Sequence, residues 1–414
     1  MSTCRTLNHA GVRHLLDFDV HLDSTRRIES FYAFMLAQVP IRYRFLRQLS
    51  LSGSHRHLSS ESINQLTEIL THASRLEVLH LHRDSDLLNL EHHLQAACSS
   101  LTSLKEFHIF SEMKPVSGSN GPLYKMVQQM QSSLVKAWLR FPISGDGIRP
   151  DPAVLLHHSS ATLEDLTVAG VRFQFELQFP RVRKLSISGS HRPRDLHQLS
   201  FFGRSESTSN QYRQLNRSVQ HAGGGWKSLD RVVGEPVNLY RLGLTCQIRR
   251  VKISYVDHGT REMVAHILSD SRPSRVHIGL NSVFPCVRCI PDEVAARLTY
   301  LRCTIDLAYF NGNSDDIDTF QLLVQRSPLT HFMLEFDINL SGMTRGVMFL
   351  LEFCPDLFAS QIIASNPSIR YIVIKVKEVE SFTKTLFWKV LTMENGEVVV
   401  DKAPKEDLSV VMEL

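Results

Sequence analysis

"LRQLSLSG" (residues 46–53), "LEVLHLHR" (76–83) and "LKEFHIFS" (104–111) share one arrangement of apolar residues. In each stretch an apolar residue is followed by two residues, a second apolar residue, one residue and a third apolar residue. The end of this arrangement alternates with a period of two, which predicts a strand with one buried and one outward face. The pattern therefore indicates a repeated unit that contributes one short strand each time.

The same arrangement returns along most of the chain. Further copies are "LVKAWLRF" (134–141), "LEDLTVAG" (163–170), "VRKLSISG" (182–189), "IRRVKISY" (248–255), "LTYLRCTI" (298–305), "LTHFMLEF" (329–336) and "IRYIVIKV" (369–376), with a weaker copy, "SRVHIGLN" (274–281). The first five copies start 30, 28, 30 and 29 residues apart. This spacing is close to the period of the leucine-rich repeat, about 20–29 residues, with a slightly longer linker.

Helical patterns lie between the predicted strands. In residues 59–74 an apolar residue recurs at helical spacing, and Ser60 is in position to cap the helix. Residues 86–100 show a similar pattern. A strand joined through a helix to another strand, and repeated, gives parallel strands. The predicted fold is an α/β leucine-rich-repeat solenoid of about ten or eleven irregular units, with a curved parallel sheet and outer helices.

The apolar period divides the chain into four segments. We expect an amphipathic N-terminal segment over 1–40 and a first repeat block over 41–190. The polar, low-apolar stretch 191–228 is typical of a loop or insertion. A second repeat block with a C-terminal cap is expected over 229–414.

Composition narrows the function classes. The 414 residues are 43% hydrophobic and 21% charged, which is typical of a globular chain with a large core. A net charge of +4 is too small to predict nucleic-acid binding without a clustered patch. Seven scattered cysteines predict reduced, buried thiols and a cytoplasmic or nuclear location. We expect no membrane partner, because the longest apolar run, near "VMFLLEFC" (347–354), is too short to span a bilayer.

The motifs that carry chemistry are absent or incomplete. "HAGGGWKS" (221–228) has Trp226 where a phosphate-binding loop needs glycine. "CVRC" (286–289) lacks the second ligand pair of a zinc site. His80 and His82 share one face of a predicted strand, where a metal pair and a polar strand face are the two alternatives, and the polar face is favoured. The sequence therefore predicts no catalytic, cofactor or metal residues and no enzyme activity.

The outward strand positions instead predict a binding surface. They are rich in basic and aromatic residues, which are common anchors at protein interfaces. The candidate partner-binding residues are His80, His82, His108, Lys136, Trp138, Arg140, Lys184, Arg250, Lys252, Arg275, Tyr300, Arg302, His331 and Tyr371. We expect an acidic or phosphorylated protein target on this concave face, with an ordinary solvated strand face as the alternative.

Three segments resemble fungal F-box proteins with divergent leucine-rich repeats. "TCRTLNHAGVRHLL" (3–16) is similar to the last helical turns of an F-box, and "DVHLDSTRRIESFYAFMLA" (19–37) to the linker strand and helix that follow it. "GGGWKSLDRVVGEPVNLYRLGL" (223–244) resembles a segment from the middle of such repeat arrays. Two features depart from the family: the recurrent turn asparagine is missing, and no "LPxE"-type adaptor-binding segment precedes residues 1–40.

The resemblance implies a non-catalytic substrate receptor of a Skp-cullin-F-box type ubiquitin ligase. The 1–40 segment would be the C-terminal remnant of an F-box with its linker helix, and the Skp adaptor would bind only if the missing half were present. The alternatives are a stand-alone leucine-rich-repeat scaffold or inhibitor that binds no adaptor, and an N-terminal helix that only caps the repeats.

Overall fold

The structure is a computed structural model of the chain. It describes residues 2–39, 41–52, 58–82, 92–110, 122–141, 150–171, 179–188, 206–223, 225–280, 289–307, 315–338, 350, 353–378, 383–392 and 398–402. The chain forms two compact units, unit 1 over Met1–Gly203 and unit 2 over Arg204–Leu414. Each unit is of the α/β class, with strands that alternate with helices. The boundary between the units lies inside the 191–228 segment, between the two expected repeat blocks.

Unit 1 starts with a helix and then alternates between strands and helices. Its strands are β1 (Asp19–Leu22), β2 (Gln48–Ser52), β3 (Val78–His82), β4 (Glu106–Phe110), β5 (Lys136–Arg140), β6 (Asp165–Ala169) and β7 (Lys184–Ser188). Its helices are α1 (Ser2–Asp17), α2 (Thr25–Leu36), α3 (Ser60–His72), α4 (His92–Ser100), α5 (Pro122–Gln129) and α6 (Pro152–Leu155). The strand and helix expected in the linker over 19–37 are therefore present as β1 and α2.

The strands of unit 1 pair in sequence order, and every pair is parallel. β1 pairs with β2, so part of the 1–40 segment belongs to the sheet. The register places equivalent residues of successive repeats side by side, for example Leu79 beside Phe107. These residues are buried, and they form the apolar side of the sheet.

Helix α3 shows how the repeat buries its core. Its residues Ile63, Leu66 and Leu70 are buried, as their helical spacing predicts. The N-cap is Ser59, whose hydroxyl accepts a hydrogen bond from the Ser62 amide at 3.1 Å, and not Ser60 as we expected. The prediction was wrong by one residue because adjacent serines offer the same capping chemistry.

Hydroxyl groups join the turns that precede successive strands. The Ser103 hydroxyl donates to the Leu76 carbonyl at 2.7 Å, and the Thr162 hydroxyl donates to the Leu134 carbonyl at 2.8 Å. In unit 2 the Thr330 hydroxyl donates to the Thr299 carbonyl at 3.0 Å. These bonds link the turns of neighbouring repeats, and they do so without a recurrent turn asparagine.

Unit 2 carries the remaining elements. Its strands are β8 (Ser228–Gly234), β9 (Gln247–Val256), β10 (Arg275–Leu280), β11 (Tyr300–Asp306), β12 (His331–Ile338), β13 (Tyr371–Glu378), β14 (Thr383–Thr392) and β15 (Val398–Lys402). Its helices are α7 (Glu206–Gly223), α8 (Pro236–Leu242), α9 (Arg261–Ser271), α10 (Asp292–Ala295), α11 (Asp315–Gln325) and α12 (Pro355–Ser365).

The sheet of unit 2 changes direction near its end. Strands β8 to β13 pair in order and in parallel, whereas β14 is antiparallel to β13 and β15 is antiparallel to β14. The expectation of a parallel sheet is therefore wrong for the last two strands. Only four residues separate β13 from β14, and so short a connection allows an antiparallel hairpin but no crossover helix.

Residues 206–223 form a helix, where we expected a polar loop or insertion over 191–228. The buried side chains of this helix α7 include Ser209, Asn216 and Gln220, and its mostly polar composition is what made the segment look like a loop. Asn216 donates to the Arg241 carbonyl at 2.7 Å, and Gln220 donates to the Leu242 carbonyl at 3.0 Å. Helix α7 thus satisfies the carbonyl groups at the C-terminal end of α8.

Candidate functional site

The candidate residues lie on the sheet face opposite the buried leucines, in two groups of seven. Unit 1 carries His80, His82, His108, Lys136, Trp138, Arg140 and Lys184, and unit 2 carries Arg250, Lys252, Arg275, Tyr300, Arg302, His331 and Tyr371. Within each unit the parallel register aligns them in rows that cross the strands. The two groups are described separately below.

The middle row of unit 1 brings three aromatic side chains together. The register places His80 of β3 beside His108 of β4, and His108 beside Trp138 of β5. The two imidazole rings are stacked, with centroids 4.1 Å apart and planes 16° from parallel. Trp138 meets His108 edge-on at 5.2 Å and is 40% exposed, so this row offers an aromatic surface to solvent.

Glu106 lies beside this row and completes a cluster with the two histidines. Its Oε1 atom is 2.8 Å from His108 Nε2 and 3.5 Å from His80 Nε2. Lys136 places Nζ 2.9 Å from the same carboxylate oxygen. Glu106 is two residues before His108 on β4, and the alternation of a strand therefore puts both side chains on one face.

A hydrogen-bond chain reaches His80 from the edge of the sheet. The Ser50 hydroxyl donates to Asp19 Oδ1 at 2.7 Å and lies 3.1 Å from His80 Nδ1. Because the single hydroxyl proton goes to Asp19, Ser50 accepts from Nδ1–H of His80. The other ring nitrogen of His80, Nε2, faces Glu106.

Burial and neighbouring charges set the protonation of this cluster. Burial, with the adjacent ring of His80, lowers the pKa of His108 to about 4, so the ring is neutral at pH 7. Burial opposes the ionisation of Glu106, but the hydrogen bond and charge of Lys136 outweigh it, and the pKa of Glu106 lies below its usual value. Burial and the charge of His80 also lower the pKa of His82.

The outer rows of unit 1 hold basic residues. Arg140 lies over the ring of Phe110, with its guanidinium carbon 4.4 Å from the ring centroid. Lys184 follows Asp165 in the row that contains Lys136, and its side chain is exposed. His82 lies edge-on to His80, with ring centroids 5.7 Å apart.

Unit 2 has a longer row of basic and aromatic residues. The register joins Arg250, Arg275, Tyr300, His331 and Tyr371 across five consecutive strands, and Arg231 of β8 extends the row at one end. His331 and Tyr371 are stacked with centroids 4.9 Å apart. We name this set of six residues the cationic row.

A second row follows on the same face of unit 2. It aligns Lys252, His277 and Arg302. His277 Nε2 lies 2.9 Å from the Thr304 hydroxyl. Glu335, which is 6% exposed, contacts Arg302 at 2.5 Å and Lys375 at 3.5 Å. This carboxylate balances two of the positive charges of the face.

The titration of the unit 2 face reflects its positive charge. Burial and the charges of Arg249 and Arg250 lower the pKa of Arg275. Burial and the charge of Arg302 lower the pKa of His277 to about 2, and the charges of Lys252 and Arg231 act in the same direction. Cations that lower the pKa of their basic neighbours create a positive potential, which favours a negatively charged partner.

Sequence reasoning missed several residues of these faces. Asp19 and Ser50 were not among the candidates, although they orient His80. Arg231 was missed because β8 follows Leu229 and Val232 with Gly234, where the repeat pattern has its third apolar residue. Glu106 occupied an outward position in its repeat, and its two-residue spacing from His108 was the signal that could have placed it in the cluster.

Comparison with known proteins gives no family for this chain. No protein-family model matches it, and no curated protein is similar to it at a significant level. In the described part of the chain, no helix combines the length and the apolar character that crossing a bilayer requires. The described cysteines are all free thiols: Cys98, Cys246, Cys289 and Cys303 are buried and Cys354 is exposed, and Cys4 and the Cys286 of "CVRC" lie outside the residues or side chains described.

Proposed function

We propose that this chain is a non-catalytic protein-interaction module that binds an acidic or phosphorylated segment of a target protein on the face of unit 2. The cationic row carries this proposal. It joins three arginines to three aromatic side chains in one register, and Tyr, Trp and Arg are the residues most often found at interface hot spots. Arginine also recognises carboxylate and phosphate groups through paired hydrogen bonds.

The spacing of the row suits an extended segment of a partner. Neighbouring strands of a sheet lie about 4.8 Å apart, and successive residues of an extended chain rise about 3.3 Å. A segment laid across the strands therefore meets a new side chain of the row every one to two residues. Acidic groups at this spacing would contact Arg231, Arg250 and Arg275, while apolar groups would contact Tyr371; Tyr300 is 9% exposed and lies beneath them.

We further propose that the fold is a leucine-rich-repeat solenoid and that the chain is a substrate receptor of a Skp-cullin-F-box type ubiquitin ligase, in the cytoplasm or nucleus. The resemblance of residues 3–16 and 19–37 to an F-box end and its linker supports this assignment. The parallel pairing of successive strand–helix units is compatible with a solenoid. The mechanism would be recruitment, with catalysis supplied by partner subunits, and a stand-alone scaffold or inhibitor is the alternative.

Peptide binding tests the interaction proposal. We expect the full chain to bind fluorescent peptides from a degenerate phosphoserine and phosphothreonine library more tightly than their unphosphorylated forms, and more weakly as salt is added. The double variant R250Q/R275Q should lose about tenfold or more in affinity, since two charge-assisted contacts disappear. Arg297→Gln removes one positive charge at an exposed position after α10, against two in the double variant, and is the control for lost charge away from the row.

Two further results distinguish a substrate receptor of a ubiquitin ligase from a stand-alone scaffold. Equal binding by R250Q/R275Q and R297Q would contradict a target site on the cationic row. Capture of the Skp adaptor, by this chain and by the chain extended with the coding sequence upstream of Met1, tests the ligase assignment separately. If neither form captures the adaptor while the peptide still binds, the stand-alone scaffold is the better description.

A further inference from the structure

The cluster of His80, Glu106 and His108 combines features that a peptide-binding face does not require. Its three side chains come from two adjacent strands, and one ligand-type atom from each lies within 4.8 Å of the other two. Two donor atoms that share an ion with bonds of about 2.1 Å lie at most about 4.2 Å apart. Small rotations of these side chains would therefore bring all three atoms to one ion.

The Nε2 atoms of His80 and His108 are unusual because both are shielded from solvent and lack a hydrogen-bond partner. Each lies within 3.5 Å of the Glu106 carboxylate, but not in hydrogen-bond geometry. His108 as a whole is only 8% exposed. Burying an unpaired nitrogen costs stability, so two such atoms directed at one carboxylate require an explanation.

The hydrogen-bond chain from Asp19 prepares His80 to act as a ligand. Ser50 contacts Nδ1 of His80 and donates its own proton to Asp19, so Nε2 is the ring nitrogen left to bind an ion. Histidine ligands of metal ions are held in the same way, with the remote nitrogen donating to an oxygen that fixes the ring and its tautomer. The chain thus supplies the outer contacts as well as the ligand atom.

We propose that His80, Glu106 and His108 form a binding site for a divalent transition-metal ion, with Zn²⁺ as the ion that fits best. Two imidazole nitrogens and one carboxylate oxygen are a common donor set for zinc. Three protein ligands leave one position of a tetrahedral ion for water or for a side chain of a partner. The site lies in unit 1 and is independent of the target site proposed on unit 2.

Lys136 is the competitor for this site. Its ammonium group is 2.9 Å from Glu106 Oε1, so it already provides a positive charge where the ion would bind. The lysine side chain is 43% exposed and can move into solvent. Its removal should therefore strengthen metal binding, which is the opposite of what the loss of an ordinary stabilising ion pair would do.

Titration of the metal-free full chain with Zn²⁺ at pH 7.5, by calorimetry or against a chromophoric chelator, tests the proposal. We expect a site of micromolar or tighter affinity that weakens at least about tenfold in H80Q and E106Q, and about tenfold in S50A. K136Q should bind Zn²⁺ more tightly than the native chain, since a competing positive charge is gone. Co²⁺ should give the visible absorption of a tetrahedral site, lost in H80Q.

A double variant, H157Q/H158Q, is the matched control. These two histidines are also adjacent, with ring centroids 3.7 Å apart, but both are exposed. Among the residues that the structure describes, no carboxylate forms a metal-binding group with them. The control should bind Zn²⁺ as the native chain does. Absence of the site in the native chain, native affinity in both H80Q and E106Q, or no gain in K136Q would each overturn the proposal. Far-UV circular dichroism identifies any variant that fails to fold.

Discussion

At the scale of single residues, the polar faces depend on how buried charges are balanced. Glu335 is the clearest case, because it is 6% exposed and lies between Arg302 and Lys375. Burial raises the pKa of this carboxyl, but the hydrogen bond from Arg302 and the charges of both cations outweigh burial and lower it overall. Removal of this charge would leave the two cations unbalanced on an already positive face.

We predict that Glu335→Gln lowers the free energy of unfolding by about 2 kcal/mol at pH 7, because Arg302 and Lys375 lose their counter-charge while partly desolvated. The folded-state pKa of Glu335 lies below its unfolded value. Its stabilisation is therefore complete above the ordinary glutamate pKa of about 4.3 and is lost as the pH falls through the folded-state pKa.

Urea unfolding of the native chain and E335Q between pH 7 and pH 3 measures this difference. The gap should be largest at pH 7 and should shrink below about pH 4. Glu262→Gln is the matched control in the same unit, since its side chain is 77% exposed and lies 3.9 Å from Arg261. A gap that stays constant with pH would show that charge is not the cause.

The residue scale also limits what the sequence could predict about the candidate sites. From the sequence alone, the repeat pattern and the alternation within each strand predicted that His80, His108 and Trp138 lie on one face of the sheet. The chain from Asp19 through Ser50 to His80 could not be predicted, because β1 lacks the repeat pattern and its register with β2 was unknown. The position of Lys136 on Glu106 depends on side-chain rotamers, which sequence periodicity does not specify.

At the scale of elements, α7 and α8 are joined by polar contacts that hydrophobic patterns in the sequence do not predict. Helix α7 buries Ser209, Asn216 and Gln220, which are seven and four residues apart and share one face. Asn216 and Gln220 donate to backbone carbonyls of α8, and the Ser209 hydroxyl accepts from the Arg241 guanidinium. Residues 206–223 contain few apolar residues, so the segment looked like a loop, although Tyr212, Leu215 and Val219 recur at helical spacing.

Gly243 tests this connection. It ends α8 with φ of +57°, and a Cβ atom there would lie 2.8 Å from the Arg213 carbonyl oxygen of α7. We predict that Gly243→Ala lowers the free energy of unfolding by at least about 2 kcal/mol, from left-handed backbone strain and from this close approach. Thermal unfolding followed by circular dichroism gives the change.

Gly259→Ala is the control, because its nearest contact would be Asp257 Oδ1 at 3.6 Å, an ordinary distance. It should change the melting temperature little. If both variants were equally stable, α7 would not pack as closely against the end of α8 as the structure indicates. The hydrogen bonds of Gln220 to the Leu242 and Gly243 carbonyls would then be the next contacts to test.

At the scale of the whole molecule, the repeat pattern predicted the α/β class and the strand of every copy, from β2 at residue 48 to β13 at residue 371. The leucine spacing predicts these strands because each of them buries its alternate apolar side chains on the same side of the sheet. It does not identify β14 and β15, whose direction follows from short connections. The leucine-rich-repeat assignment and the F-box resemblance stay predictions.

Sequential pairing has a consequence for stability that two buried phenylalanines can test. Each strand from β1 to β7, and from β8 to β15, pairs only with its neighbours in sequence order in the register given above, so a local defect should spread mainly to adjacent units. Phe107 of β4 and Phe332 of β12 are each at most 1% exposed. Replacing either with alanine should cost about 3–5 kcal/mol locally.

Hydrogen exchange with mass spectrometry under native conditions measures where that cost appears. Phe107→Ala should raise exchange most in β3, β4 and β5, and Phe332→Ala should raise it most in β11, β12 and β13, so each variant is the control for the other. Exchange that rose equally over both units in both variants would mean that the chain unfolds as one cooperative body. If exchange rose only in the neighbouring strands, the stability of the chain would come mainly from contacts between successive strand–helix repeats. Pairing of each strand with its sequence neighbours predicts this result.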